Sequence, residues 1–409
     1  MNSDSAGAAL HATVDQRRLA VDDVVHRIQS FAIETPSWGY GNSGTRFKVF
    51  AWPGAARNLH EKLADAAMVQ RVTGSCPTVA LHIPWDKTDD WAAARQEAES
   101  LGIRVGAINP NLFQDEEYKL GSLTHPNAAI RHRAVEHVRE CIEIAKITGS
   151  NLISLWLADG TNYPGQDDLR GRRHRLLESL QAVYADLPPG MRLLIEYKFF
   201  EPAFYSTDLP DWGTSLLLAT KLGPQADVLV DTGHHPHGTN IAQIVAQLLD
   251  EGRLGGFHFN DRKYADDDLI VGSVNPFELF CIFNEITGAA TEGNENAERI
   301  AYMIDQSHNI ESKIEAMVQS VINIQLAYAK SLLVDRPALR RAHEAGDVLA
   351  GYRELQAAYE TDVRPLLAEV RRRQGLDPDP IAALRSSGYL ERVAHERAIA
   401  PVSSGYPGT

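Results

Sequence analysis

Residues 192–236 read RLLIEYKFFEPAFYSTDLPDWGTSLLLATKLGPQADVLVDTGHHP. One apolar run, RLLIEYKF, opens the stretch and a second, ADVLVDTG, begins at 226. Between them lie a Pro/Gly/Asp cluster and a longer segment with apolar residues at helical spacing, the pattern of a βα unit. Both runs end in side chains that carry charge or bind metals: Glu196 and Lys198 in the first, Asp231 and His234 in the second.

The same pattern recurs on either side. Further runs are FAIETP at 31–36, TVALHIPW from 78, IRVGAINP from 103, LISLWLAD from 152, GGFHFND from 255 and RIAYMID from 299, which brings the number of candidate strands to eight. Helices are predicted between them, for example Asn127 to Lys146, with Ile130, Val135, Val138, Ile142 and Ile144 as its apolar side, and Ile241 to Leu249 after the turn HGTN. Eight βα repeats close without leaving a strand edge, so the predicted fold class is α/β, a (β/α)8 TIM barrel with an α-helical C-terminal extension. The boundaries read as an N-terminal segment 1–27, a catalytic barrel 28–330 and a helical extension 331–409 that serves oligomerisation, with Gly346 and Pro365 interrupting its helix. Such an arm covers a neighbouring subunit or its own barrel, and the sequence leaves both open.

Composition narrows the function. Of 409 residues, 54 are acidic and 40 basic, and the resulting charge of -14 repels a phosphate backbone, which disfavours a nucleic-acid partner. Three cysteines without close spacing, Cys76, Cys141 and Cys281, support neither a disulfide framework nor a thiolate metal site. A polar N-terminus and the lack of an apolar run near the ~18 residues of a membrane span give the expectation of a cytoplasmic protein without membrane partners.

In a barrel of this kind chemistry sits where the strands end. Strand five supplies Glu196 and Lys198, which share a face because strand side chains alternate, and strand six supplies Asp231 and His234. Strand seven supplies His258 followed by Asp266 and Asp268, and strand eight Asp305. Taken singly, several have plain explanations: Glu-x-Lys is ordinarily a salt-bridged pair, the DDD run at 266–268 a solvated loop, and His235 and His237 capping or solvated residues. An acid or imidazole that ends an apolar strand inside a barrel needs a partner, however, and seven such groups exceed what one ion requires. Carboxylates and imidazoles without sulfur suit a divalent ion such as Mn²⁺, Co²⁺ or Mg²⁺, and a pair of ions sharing a carboxylate would use them all. His82 reads either as a core histidine or as an acid/base group facing substrate, Trp85 as packing, and Trp156 as packing or as the apolar wall of a sugar site.

Glu-x-Lys on strand five, acid-x-x-His on strand six, Asp-x-Asp after strand seven and a closing Asp on strand eight together resemble the xylose isomerase-type metal-dependent sugar isomerases. The segments IEYKFFEPAFYSTDLPDW, LVDTGHHPHGTNIAQIV, GFHFNDRKYADDDLIVGSVNPFELF, YMIDQSHNIESKIEAM and SWGYGNSGTRF resemble more closely the broad-specificity bacterial L-rhamnose isomerases. The resemblance implies two divalent ions per subunit, Mn²⁺ foremost: one on Glu196, Asp231, His258 and Asp305, the second on His234, Asp266 and Asp268, with Asp231 as the bridge. It implies His82, Lys198 and Asp305 as catalytic groups, and His82, Trp156, Lys198 and Phe47 as substrate contacts, Phe47 reaching a neighbour's site in a homotetramer. The implied reaction interconverts L-rhamnose and L-rhamnulose, with related aldoses such as D-allose accepted. The alternatives are another sugar isomerase or a 3-epimerase, a DNA-repair endonuclease, and a non-catalytic sugar-binding barrel. An epimerase needs one ion and no Glu-x-Lys, an endonuclease a basic surface, and a binding barrel no Lys198.

Overall fold

In the computed structural model, which describes residues 21–45, 48–201 and 205–397, eight parallel strands close into a barrel. They are β1 (Glu34–Pro36), β2 (Thr78–Ile83), β3 (Arg104–Pro110), β4 (Leu152–Leu155), β5 (Arg192–Glu196), β6 (Ala226–Asp231), β7 (Leu254–Phe259) and β8 (Ala301–Ile304). Each pairs with the next along the chain, and β1 closes the ring by pairing with both β2 and β8. Helix α1 (Val21–Ser30) precedes the ring. The helices after the eight strands are α2 (Leu59–Thr73), α3 (Trp91–Ser100), α4 (Ala128–Thr148), α5 (Leu169–Ala185), α6 (Trp212–Leu222), α7 (Ile241–Asp250), α8 (Pro276–Thr291) and α9 (Lys313–Leu332). The Asn and Asp residues that punctuate the sequence cap them: Asn58, Asp90, Asn127, Asp168, Asp211 and Asn240 each accept a first-turn amide.

Period-two alternation sorts the barrel interior into layers. Arg192, Leu194 and Glu196 share the inner face of β5, and Asp227, Leu229 and Asp231 that of β6, with Asp227 opposite Leu194 and Leu229 opposite Glu196. At the floor the buried Asp227 carboxylate accepts Arg192 Nε at 3.0 Å and Arg299 Nη2 at 3.2 Å. Above it Leu194, Leu229, Ala80, Ala107 and Met303 pack into an apolar plug. The strand ends then deliver Glu196, Asp231, His258 and His82, all buried, to the opposite mouth. Glu34 of β1 lies against this stack and accepts the Ala107 amide at 2.9 Å. Only glycine fits beside it at 106, where a Cβ would fall 1.4 Å from Glu34 Oε2.

After α9 the chain continues as α10 (Arg336–Ala345), α11 (Val348–Glu360), α12 (Arg364–Arg373), α13 (Pro380–Ser386) and α14 (Tyr389–Glu396). This extension covers its own barrel. Leu366, Leu367 and Val370 of α12 pack on Val24, Val25 and Ile28 of α1 and on Leu332 of α9. Tyr389 donates to Asp65 of α2 at 2.8 Å, and Arg397 Nη1 donates to the same carboxylate at 2.7 Å. No helix among the described residues is long and apolar enough to cross a membrane.

Two expectations shift. The first strand is three residues instead of FAIETP, because Phe31 leaves the ladder to stack on Tyr328 at 4.1 Å between ring centres. Pro365 opens α12 in its first turn, where a missing N–H costs nothing, while α11 has already ended at Glu360. Gly346 does interrupt the extension, as the left-handed cap of α10.

The plug makes a stability prediction. Leu229→Ala removes a fully buried side chain that Leu194 and Met303 cannot collapse to replace, so unfolding in denaturant should weaken by about 2–5 kcal/mol. A loss below about 1 kcal/mol would mean that the layer is not tightly packed.

Candidate active site

Four side chains from the last four strands meet at the barrel mouth: Glu196 ends β5, Asp231 ends β6, His258 lies in β7 opposite Asp231, and Asp305 follows β8 directly. Each offers a donor atom, and these four atoms lie within 4.8 Å of one another. A second set, Asp231, His234 and Asp266, meets the same criterion and shares Asp231 with the first. The structure therefore brings together six of the seven residues expected to bind metal. The seventh, Asp268, is outside both sets; it stands at electrostatic range of Asp266, Asp305 and Asp231, on a backbone turned to the left-handed region at φ 49°.

The two imidazoles differ in their partners. His234 Nδ1 donates to the Tyr197 carbonyl at 3.2 Å, which leaves Nε2 as the nitrogen 3.5 Å from Asp266 Oδ1 and 3.8 Å from Asp231 Oδ2. His258 Nδ1 lies 3.1 Å from Glu196 Oε2 and 3.4 Å from Asp305 Oδ2, yet neither of its buried ring nitrogens makes a hydrogen bond. Asp266 Oδ1 likewise has no hydrogen-bond partner. Buried polar atoms without partners are costly, and these belong to residues of the two sets. Oxygen and imidazole donors with no thiol among them fit a divalent ion of intermediate hardness at each set.

Electrostatics agree with that fit. Burial drives the Asp231 carboxyl up to about 7, with Glu196, Asp266 and Asp305 adding repulsion against the attraction of His234. Burial alone would also raise Glu196, but the charges of His258 and His234 outweigh it and hold that carboxyl at about 2. Desolvation disfavours a charged His258, and the surrounding Glu196, Asp305 and Asp231 overcome it to raise the imidazole to about 9. So much negative charge in one dry mouth calls for cations.

Lys198 follows the end of β5 and is buried at 5% exposure. Its Nζ lies 2.6 Å from Asp266 Oδ2 and 3.5 Å from Glu201 Oε1, and 5.1 Å from the centre of the Trp156 ring. Burial would discharge it; the Asp266 and Glu201 carboxylates keep it an ammonium well above its ordinary range. It thus faces the second set without being a ligand.

Other partners were not legible beforehand. Trp38 Nε1 donates to Asp305 Oδ1 at 2.8 Å, and Asn260 Nδ2 reaches both Asp231 oxygens at 3.0 and 3.1 Å. The Gly233 amide adds a third bond to Asp231 Oδ1 at 2.6 Å, from a position where a Cβ would meet Asn260 Oδ1 at 2.5 Å. Both Trp38 and Asn260 stand inside segments that carry the resemblance, SWGYGNSGTRF and GFHFND, which is the signal that could have marked them.

An aromatic wall borders the charged cluster. His82 stacks on Trp85 at 3.8 Å and meets Trp38 edge-on, and Phe113 bridges from His82 to Trp156, 4.7 Å away. Burial, with the Lys62 charge behind it, lowers the His82 imidazole to about 3, and its Nδ1 has no hydrogen-bond partner. Phe47 lies outside the described residues. His235 is not a solvated residue: it is buried, with Nε2 2.7 Å from the Tyr197 hydroxyl, because the loop after β6 turns inward to present His234. His237 does stay near solvent, 3.1 Å from the Tyr264 carbonyl.

Comparison with known proteins places this geometry. The family described as the xylose isomerase-like TIM barrel matches residues 64–285. The chain belongs to that family. A "probable sugar isomerase" of Rhizobium meliloti (strain 1021) is 46% identical over 387 residues, covering 93% of this chain and 90% of that one. Another "probable sugar isomerase", from Mesorhizobium japonicum, is 45% identical over 403 residues, covering 97% and 93%. A xylose isomerase of Thermus thermophilus is 24% identical over 235 residues, 53% of this chain and 58% of its own. Among solved structures, an L-ribulose 3-epimerase superposes with a TM-score of 0.57 at 15% identity over 78% of this chain and 98% of its own, a likeness of fold.

The two sets predict a metal titration. Added Mn²⁺ should bind at two equivalents per chain and raise the thermal midpoint. Glu196→Gln should lose the equivalent held with Asp231, His258 and Asp305. Lys198→Met should keep both, since it removes a neighbouring positive charge and no donor atom. Loss of metal from Lys198→Met, measured by elemental analysis after dialysis, would make Lys198 a structural part of the metal site.

Proposed function

We propose that the protein is a metal-dependent aldose–ketose isomerase that interconverts L-rhamnose and L-rhamnulose and accepts related aldoses such as D-allose. The observation that carries this reading is the pair of metal-capable sets sharing Asp231, with the Lys198 ammonium against the second. A 3-epimerase, for which one ion suffices, has no use for that pair. Glu196, Asp231, His258 and Asp305 would hold one ion, and His234, Asp266 and Asp231 the other, with Asp268 standing by. Mn²⁺ suits these donors best, and Co²⁺ or Mg²⁺ would substitute. When bound, the ions supply Lewis acidity toward the sugar oxygens.

The chain's own groups do the rest. His82, neutral at physiological pH and with Nδ1 unpaired, takes and returns the proton that opens the ring. The Lys198 ammonium stabilises negative charge that develops on the C1 oxygen. Asp305, oriented by Trp38, stands ready as a base for a proton moving between C2 and C1. The aromatic wall of Trp85, Phe113 and Trp156 excludes water from the far end of the sugar. The homotetramer rests on the resemblance of the chain, and the exposed Val348, Leu349 and Tyr352 of α11 support a role for residues 331–409 in it.

The test is an aldose screen with ketose detection. Activity should vanish after chelation and return with Mn²⁺ or Co²⁺; full activity in a preparation shown to hold no metal would sink the reading. L-Rhamnose should be the best substrate. Deuterium at C2 retained at C1 of the ketose would assign a direct hydride shift, and its exchange with solvent a proton route through Asp305.

Specificity follows from the wall. An apolar surface suits the C6 methyl of a 6-deoxy sugar but rejects an added hydroxyl by only about 10²-fold. Trp156→Ala should therefore lower kcat/KM for L-rhamnose more than for D-allose, as the methyl loses its packing surface. Equal losses on both sugars would remove Trp156 from the specificity argument.

A further inference from the structure

Arg172, in the first turn of α5, is the largest fully buried side chain among the described residues, at 1% exposure. Every one of its guanidinium N–H groups has a partner. Nε donates to both oxygens of Asp208 at 3.0 Å, and Nη2 to Asp208 Oδ2 and Thr124 Oγ1, both at 2.7 Å. Nη1 donates to the Leu120 carbonyl and to Asp167 Oδ2, both at 3.0 Å. These partners lie on three different βα loops, after β3, β4 and β5. Gly121 gives the guanidinium its room: a Cβ there would sit 2.8 Å from Nη2, on a backbone at φ 110°. Beside it the buried Asp159 accepts the Ser122 and Thr124 amides at 2.7 and 3.0 Å, and its carbonyl receives the Asp208 amide at 2.9 Å.

What makes this more than loop packing is where the two neighbours of Asp208 go. Thr207 Oγ1 donates to the Lys198 carbonyl at 2.8 Å, and the Leu209 carbonyl accepts the Lys198 amide at 2.9 Å. Both main-chain polar groups of Lys198 are thus held by the residues on either side of the carboxylate that Arg172 grips. Lys198 lies beyond the last residue of β5, so no barrel ladder fixes it. We propose that Arg172 is a positioning residue: acting through Asp208, it sets the main chain of Lys198 and hence the place of the ammonium at the C1 end of the sugar. The catalytic half of this statement rests on the isomerase reading; the positional half does not. A lysine at 172 would keep the charge but, with donors on a single atom, could not serve three loops at once.

The test uses full-length, metal-replete Arg172→Lys and Thr207→Val, the second removing only the hydroxyl that holds Lys198 and keeping the side chain's shape. In both, hydrogen exchange at the Lys198 amide should quicken. On the best aldose of the parent enzyme, kcat should fall about 10–100-fold in Arg172→Lys and several-fold in Thr207→Val, with KM within about threefold and both metal equivalents retained. Should Arg172→Lys fail to fold, Asp208→Asn, which weakens the same ion pair from its other end, takes its place with the same outcomes. Unchanged exchange at Lys198 overturns the proposal, and so does an unchanged kcat where the parent is active. If the parent turns over no aldose, the isomerase reading fails separately and exchange at the Lys198 amide still decides whether Arg172 positions it.

Discussion

Asp231 is a fully buried carboxylate at the junction of the two metal-capable sets, and burying such a charge costs several kcal/mol unless partners meet it. The surroundings are arranged around that cost. Asn260 and the Gly233 amide direct N–H groups at its oxygens, His234 and His258 bring imidazoles, and the glycine at 233 lets the backbone come close enough to donate. Even so, burial and the neighbouring acids push its carboxyl up to about 7, so the hydrogen bonds alone do not satisfy it. The shared position of Asp231 means that a cation serving either set relieves the same repulsion, which ties the two sets into one electrostatic unit.

The alternation that puts Asp231 at the mouth also builds the rest of the barrel. Two residues below it Leu229 joins the plug, and two below that Asp227 anchors Arg192 and Arg299 at the floor. On the adjacent strand Arg192, Leu194 and Glu196 repeat the sequence of charge, apolar group and charge, offset by one inward position so that Asp227 pairs with Leu194 and Leu229 with Glu196. On these two strands one inward residue closes the floor, one excludes water and one serves the mouth. A ligand at the mouth sits on a dry apolar layer, so the fields of Glu196, Asp231 and Lys198 are screened little by solvent.

Ligand-type residues were legible because a polar side chain closing an apolar strand is conspicuous in a sequence, and Glu196, Asp231, His258 and Asp305 all announce themselves that way. Element boundaries were less so: β4 stops at Leu155, before Trp156, β5 at Glu196, before Lys198, and β8 at Ile304, before Asp305. The strand pattern continues past the point where the ladder ends, since pairing is lost once loops diverge while the side chains still point inward. Supporting residues were illegible for a different reason. Trp38 and Asp305 are 267 positions apart, and among the described residues the Arg172 guanidinium has one partner nearby in the chain, Asp167. A buried arginine in the stretch LRGRRHR looks like its less buried neighbours until the fold brings Asp208 to it. His235 was misread for the same reason, its partner Tyr197 lying on another loop.

Asp266 joins the two halves of the site. Its Oδ2 is taken by the Lys198 ammonium at 2.6 Å, while its Oδ1, 3.5 Å from His234 Nε2, has no hydrogen bond. One carboxylate thus holds the lysine with one oxygen and offers the other to the second metal-capable set. A cation held on Oδ1 would withdraw charge from Oδ2 and loosen the hold on Lys198, and Glu201 at 3.5 Å is a second carboxylate within reach of the ammonium. The position of the ammonium is then a balance between two carboxylates on one side and the clamped backbone of Lys198 on the other. The backbone contacts made by Thr207 and Leu209 do not draw on either carboxylate, and for that reason they matter to a group whose own charge partners are shared.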